Sequence, residues 1–270
     1  GPYYSPFNKR YNLMCKAFDA IFLKKYIKQN TQFIVKSNLA KKFLVDKGIE
    51  QSNVHTVGVG IDTEMLASNR VVCNDEIYQK MLADKDVIKI LYVGRFEERR
   101  NIRFIIDVFQ KVQVQNDKVK LYMIGTGEKE YVQSCFSYIN ELGLKDKVVW
   151  QEKMEQKFLS GIYQMADFFV LPTEYEIFGM VLLEAMYYKT VVLTTQNGGS
   201  STVMCNGKNG YVIQTKDPRK WANVITDTYK DKGKMKMIQN NAHEEIEKKY
   251  TWDMVSEQFL IQYNELLEKQ

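Results

Sequence analysis

The chain has 270 residues, 45% of them hydrophobic, and its 38 basic and 33 acidic side chains leave a net charge of +5. That composition excludes a disordered chain and allows one large domain, or one domain and part of a second; the mild, dispersed positive excess gives no ground for nucleic-acid binding, and no apolar run reaches the ~18 residues of a membrane helix. Cys15, Cys73, Cys135 and Cys205 lie far apart with only His55 and His243 to join them, which argues against a zinc site or a disulfide framework and for a reduced, cytoplasmic protein.

The first 60 residues predict a basic, aromatic helix over about 9–28, a strand over 32–35, a helix over 38–47 begun by Ser37 as N-cap, and a strand over 54–57. This looks like the last βαβ segment of a sheet. No signal-peptide pattern opens the chain, and Gly1-Pro2 reads either as native or as a protease scar. The helix carries Lys9, Arg10, Lys16, Lys24, Lys25 and Lys28 among Phe7, Tyr11, Phe18, Ile21, Phe22 and Tyr26. Peripheral contact with an anionic membrane is one reading of it; packing on the rest of its own domain is the favoured one. Gly58-Val59-Gly60-Ile61-Asp62 then reads as a turn and 63–85 as an irregular polar linker.

From residue 86 short apolar runs alternate with amphipathic stretches, the pattern of a doubly wound parallel sheet. Strands are expected over 87–93, 119–124, 148–150, 168–171, 191–194 and 211–213. Apolar residues recur at helical spacing at Ile102, Ile105, Ile106 and Phe109, and again at Val132, Cys135, Phe136 and Ile139. Helices continue after Asp217-Pro218, and the segment at Tyr250-Thr251-Trp252 precedes a last helix. The predicted fold is α/β: a fragment of one Rossmann domain (1–62), a linker (63–85), a complete Rossmann-like domain (86–249), and a closing helix (250–270) that crosses back.

The most informative segment runs from Pro172 to Met186, where a strand ends and a helix starts near Phe178. Glu176 and Glu184 have seven residues between them, so the two carboxylates stand roughly 10 Å apart along the axis. A diphosphate separates a hexose from a ribose by a similar span. The amides of Phe178, Gly179 and Met180 lie between them at the helix start, where free donors and the dipole favour a phosphate. Read blandly, Glu176 is a first-turn dipole partner and Glu184 a solvated helix residue. The loop after the first strand of the sheet decides against that, because Arg95 and Arg100 follow Gly94 there and can reach the same crevice. Arg99 is assigned to a surface charge run. Gly125-Thr126-Gly127 lacks the third glycine of a dinucleotide fingerprint and reads as a turn at the crevice rim.

Together these segments resemble glycosyltransferase family 4, retaining nucleotide-sugar transferases of the GT-B type, over about residues 31–268. The specific match is Glu176-Ile177-Phe178-Gly179 with Glu184-Ala185-Met186, an E-x7-E motif; Gly94-Arg95 with Arg100, the interdomain turn, Gly198-Gly199 and Asn209-Gly210 are weaker matches. The resemblance implies that Arg95 and Arg100 hold the diphosphate, Glu176 the sugar hydroxyls, Glu184 the ribose, the amides of Phe178, Gly179 and Met180 the phosphate and sugar, and the Met154 backbone the base. It implies no cofactor and no metal, two arginines and a helix N-terminus serving the diphosphate instead. The partners implied are a nucleotide sugar of UDP, GDP or ADP and a glycan or lipid-linked acceptor. Arg100 stands where lysine is usual, Thr202 where glutamate is frequent, and Lys189-Thr190-Val191 replaces a G-x-P turn. His55 and His243 are expected to be structural or exposed.

The expected function is therefore sugar transfer in polysaccharide or glycoconjugate synthesis; the rivals are a non-catalytic nucleotide-sugar-binding module and, on charge alone, a nucleic-acid-binding protein. Some 60 residues before the turn are too few for a second full Rossmann domain. The chain alone is thus expected to bind donor without glycosylating an acceptor, and to self-associate through the uncovered faces of its first and last helices.

Overall fold

The computed structural model describes residues 8–68 and 75–268. Gly1-Pro2, Phe7, Cys73 and the middle of the expected linker lie outside the described residues. In chain order the helices are α1 (Lys9–Phe18), continued through a π turn over Asp19–Leu23 into α2 (Lys24–Lys28), α3 (Asn38–Asp46), α4 (Thr63–Ser68), α5 (Glu76–Ala83), α6 (Ile102–Gln115), α7 (Lys129–Glu141), α8 (Gln156–Met165), α9 (Met180–Tyr187), α10 (Ser200–Val203), α11 (Pro218–Lys230), α12 (Lys232–Lys249) and α13 (Trp252–Leu267). The strands are β1 (Phe33–Val35), β2 (Val54–Thr56), β3 (Ile88–Val93), β4 (Val119–Ile124), β5 (Val148–Gln151), β6 (Phe168–Leu171), β7 (Val191–Thr194) and β8 (Tyr211–Val212).

Strands β1 and β2 pair in parallel around α3, one βαβ unit. The Ser37 side chain caps α3 through the amide of Ala40, at 3.2 Å, as its position before the helix predicts. Leu23 is buried with Leu44, Ile49 and Val54 and so fastens the first helix to this unit. Asp19 adds an ion pair to Lys47 at 3.0 Å and Tyr26 meets Phe33 edge-on, while other apolar side chains stay exposed: Leu13 is 70% and Ile21 66% exposed, and on α13 Leu260 is 60% exposed.

The other six strands form one parallel sheet in the order β5-β4-β3-β6-β7-β8. Chain direction across the sheet reverses between β3 and β6. Each strand reads as a near-continuous apolar run because helices cover both faces, and β6 and β7 are buried throughout. Loops leaving β3 and β6 at their carboxyl ends therefore open into the same crevice, where ligands of doubly wound folds bind.

Residues 63–85 correct the expectation of an irregular linker. Among the described ones, α4 and α5 bury Leu66, Ile77 and Met81 in the core of the large sheet, so this stretch belongs to that domain's packing. Charged residues around each apolar pair hid the helical periodicity in pieces so short. The boundary at the turn is close-packed: Ile61 donates to the Tyr250 carbonyl (2.8 Å) and accepts from the Trp252 amide (3.1 Å).

Candidate donor site at the switch point

The loop after β3 and the loop after β6 are sewn together. The Asn101 side chain donates to the Pro172 carbonyl at 2.9 Å, the Glu174 amide to the Arg99 carbonyl at 2.8 Å, and the Thr173 hydroxyl to the same carbonyl at 3.1 Å. Asn101 holds a left-handed backbone (φ 54°) to do so, a conformation asparagine tolerates better than most residues. Upstream, the buried Tyr92 hydroxyl donates to the Arg95 carbonyl at 2.7 Å; burial pushes its pKa well up, so it stays a donor.

Across this junction runs a chain of ion pairs. Arg95 Nε meets Glu97 Oε1 at 2.9 Å and Arg99 Nε meets Glu97 Oε2 at 2.7 Å. Arg99 Nη1 then reaches Glu176 Oε2 at 3.5 Å, and Arg100 Nη1 is ion-paired with the same oxygen. Three guanidiniums against two carboxylates leave the chain one positive charge in excess. Arg100 is the most enclosed of the three, and its Nε is buried without a hydrogen-bond partner.

The structure thus brings Arg100 and Glu176 into direct contact, while Arg95 stays 72% exposed and, among the described residues, is linked to them through Glu97 and Arg99. Arg95 and Arg99 instead line a cavity of about 510 Å³ with Glu128, Tyr131 and Tyr175. The assignment of Arg99 to a surface charge run is corrected. Its guanidinium also donates to the Tyr175 carbonyl at 2.9 Å, so it spans both loops. Sequence reasoning missed it, with Asn101 and Thr173, because consecutive charges carry no mark of which one turns inward.

Helix α9 starts at Met180, two residues after the position expected. Gly179 precedes it with φ 84°, a conformation that strains any side chain. Phe178 is buried and Met180 exposed. No backbone hydrogen bond among the described residues uses the amides of Phe178, Gly179 or Met180, so these donors are available. Behind the loop, Gly198 donates to the Glu176 carbonyl at 3.1 Å. A Cβ on Gly198 would stand 1.7 Å from the Ile177 carbonyl oxygen, which explains a glycine there.

Thr202, where the family resemblance suggests glutamate, is a tie between lobes: its hydroxyl accepts from the Asn38 amide at 3.0 Å and donates to Gly198 at 2.8 Å. Glu184 is only partly open to solvent and accepts from the Tyr163 hydroxyl at 3.0 Å, which overturns the bland view of it as a solvated helix residue. Burial raises its pKa, and the Tyr163 bond lowers it in part. Met154 packs half-buried against the core, in a loop where Gln151 Nε2 holds Asp75 and the Lys153 carbonyl, both at 2.8 Å. His55 Nε2 donates to Gln32 Oε1 at 3.1 Å, and His243 pairs with the Tyr187 carbonyl and Glu247; neither approaches the junction by any of these contacts. Among the described residues no cluster of His, Cys, Asp and Glu could hold a metal ion, and no helix is long and apolar enough to cross a membrane.

A doubly wound sheet carrying arginines and a helix N-terminus at its switch point has the architecture of a GT-B glycosyltransferase domain. Residues 74–245 match the family model of glycosyl transferases group 1, and the chain belongs to that family. It is 30% identical over 181 residues to a glycosyltransferase of Methanocaldococcus jannaschii, covering 66% of this chain and 45% of that protein. To the capsular polysaccharide biosynthesis glycosyltransferase CapM of Staphylococcus aureus it is 28% identical over 237 residues, 87% of this chain and 59% of the relative. The chain thus spans about half the length of these curated relatives. Among solved structures, Anabaena HepE in complex with UDP superimposes with a TM-score of 0.75 at 18% identity, over 87% of this chain and 64% of that one.

Proposed function

We propose that this chain carries the donor site of a retaining glycosyltransferase that moves a sugar from a nucleoside-diphosphate sugar to a glycan or lipid-linked acceptor, in cell-surface polysaccharide or glycoconjugate synthesis. The observation that carries the reading is the meeting of Arg100 and Glu176 at the switch point, beside the unused amides at the start of α9. The names of relatives and neighbours support it: CapM acts in capsular polysaccharide biosynthesis, and HepE was solved with UDP. In this reading residues 86–249, with α4 and α5 packed on them, form the donor domain and 1–62 part of the acceptor-side domain.

Arg100, with Arg95 nearer solvent, would take the diphosphate; the buried Arg100 Nε is an unsatisfied donor in the structure. Glu176 would turn from Arg100 to the sugar hydroxyls as the diphosphate takes over the guanidinium. Glu184 would hold the ribose, the amides of Phe178, Gly179 and Met180 the phosphate and sugar, and the Met154 backbone the base. In the reaction the bond from the anomeric carbon to the β-phosphate oxygen breaks with its electron pair going to phosphate. The acceptor oxygen bonds the same face of that carbon and gives its proton to the leaving phosphate. Fixed cations and helix amides stabilise the charge that develops, so no metal is needed.

The test is a melting-temperature screen of UDP, GDP, ADP and their sugar esters, with and without EDTA. One nucleoside diphosphate and its ester should raise the melting temperature equally in both conditions. Stabilisation that disappears with EDTA would sink the metal-free mechanism, and no stabilisation by any nucleotide would sink the donor site itself.

A further inference from the structure

Glu184 reaches its place by way of a tyrosine that no motif marks. Tyr163, on α8, is buried, and its hydroxyl bonds one carboxylate oxygen of Glu184, Oε2, at 3.0 Å. Among the described residues the other oxygen has no hydrogen-bond partner and is not fully enclosed. A carboxylate on a helix ordinarily rotates freely about its last torsion. Here one oxygen is tied from inside the protein and the other is left for a ligand.

The tyrosine is itself held by two contacts, one of them braced from behind. Its ring stacks on Tyr188 with centroids 5.9 Å apart and planes 11° from parallel, its carbonyl accepts from the Thr190 hydroxyl at 2.7 Å, and Tyr188 in turn donates to the Leu66 carbonyl at 2.8 Å. Burial and the adjacent carboxylate push the Tyr163 pKa well up, which keeps the hydroxyl a donor. Tyr163 and, behind it, Tyr188 are the titratable groups that face Glu184.

We infer that Tyr163 is a positioning residue for nucleotide recognition: its hydroxyl orients Glu184 so that one oxygen is presented to the ribose hydroxyls of the donor. This rests on the reading of Glu184 given above. Removing the hydroxyl would let the carboxylate swing and would also withdraw a bond that favours its charged form.

The experiment measures affinity for UDP, GDP and ADP and for their 2′,3′-dideoxy counterparts, across mildly acidic to mildly alkaline pH, in the protein and in Tyr163→Phe, Tyr188→Phe and Glu184→Gln. Phe keeps the stacked ring, so Tyr163→Phe should fold. The expected result is a three- to tenfold loss of ribonucleotide affinity in Tyr163→Phe with dideoxy affinity unchanged, as for one lost hydrogen bond. The acidic limb of its ribonucleotide pH profile should also move to higher pH. Tyr188→Phe, which loses a hydroxyl from the same stack, should leave the ribo-to-dideoxy ratio alone. Equal losses for both nucleotide forms in Tyr163→Phe, or an unmoved pH profile, would overturn the positioning role. A parent protein that binds dideoxy and ribonucleotides alike, with Glu184→Gln no different, would overturn the ribose reading of Glu184 as well. In Tyr163→Phe/Glu184→Gln the two losses should fail to add, because the hydroxyl acts through the carboxylate.

Discussion

Arg100 and Glu176 leave adjacent strands, β3 and β6, and meet as an ion pair that water barely reaches, their side chains 13% and 12% exposed. Each is the other's charge partner in the free protein. A pair so enclosed costs more to break than to omit, since either member alone is a desolvated charge.

One consequence concerns ligand selection. Glu176→Gln releases Arg100 for an incoming phosphate, so affinity for the free nucleoside diphosphate should hold or rise. The sugar ester should lose roughly 10–100-fold, the worth of a charge-assisted hydrogen bond. Calorimetric titration with both ligands decides it; matching losses would show that Glu176 does not serve the sugar.

The two predicted phosphate ligands should differ in stability. Arg100→Ala leaves Glu176 enclosed with only Arg99 at 3.5 Å and should cost about 3–5 kcal/mol in urea unfolding. Arg95→Ala removes a largely exposed guanidinium and should stay within about 0.5 kcal/mol. Both should weaken the diphosphate, Arg95→Ala less, because it binds from the solvent side. A large loss of stability in Arg95→Ala would mean that the ion-pair chain acts as one unit.

Glu184 should trade stability for binding. Burial raises its folded-state pKa above the unfolded value. Folding therefore favours the protonated form, and stability is lost as pH rises through the folded-state pKa. Glu184→Gln, which can still accept from Tyr163, should melt higher than the parent at neutral pH. That advantage should shrink as pH falls through the raised folded-state pKa and be gone below the carboxyl's ordinary value. Nucleotide affinity should drop in the same variant. An equal melting temperature at neutral pH would contradict the burial argument.

Gly198→Ala should disturb the site without touching a ligand. Its Cβ would fall 1.7 Å from the Ile177 carbonyl oxygen, so the loop carrying Glu176 must move. We expect a clear fall in melting temperature and weaker binding of the sugar ester; a variant that retains both would show that this loop yields easily.

The large sheet was readable in the sequence because buried parallel strands are short apolar runs, and Val119–Ile124, Phe168–Leu171 and Val191–Thr194 fall where those runs predict. The short helices α4 and α5 were not, having too few turns to establish a period. Arg95, Arg100 and Glu176 were legible as facing one crevice because strand ends converge in such folds; the direct contact of Arg100 with Glu176 was not. Arg99 and Tyr163 were not, since one sits among like charges and the other is one of many apolar-looking positions on a core helix. Their roles come from tertiary contacts alone.

The pairing of β3 with β6 also sets when the proposed donor site can exist. Ile90 and Phe168 are register partners, with about eighty residues and the β4 and β5 units between them, a contact of long loop-closure entropy. Neither loop of the site is complete until that seam closes. During synthesis Arg100 emerges well before its carboxylate partner Glu176, whereas Arg95 and Arg99 emerge with Glu97, and a nascent chain ending short of β6 lacks the Arg100 partner. Nucleotide affinity should accordingly rise in a single late step of refolding, after most helix signal has returned.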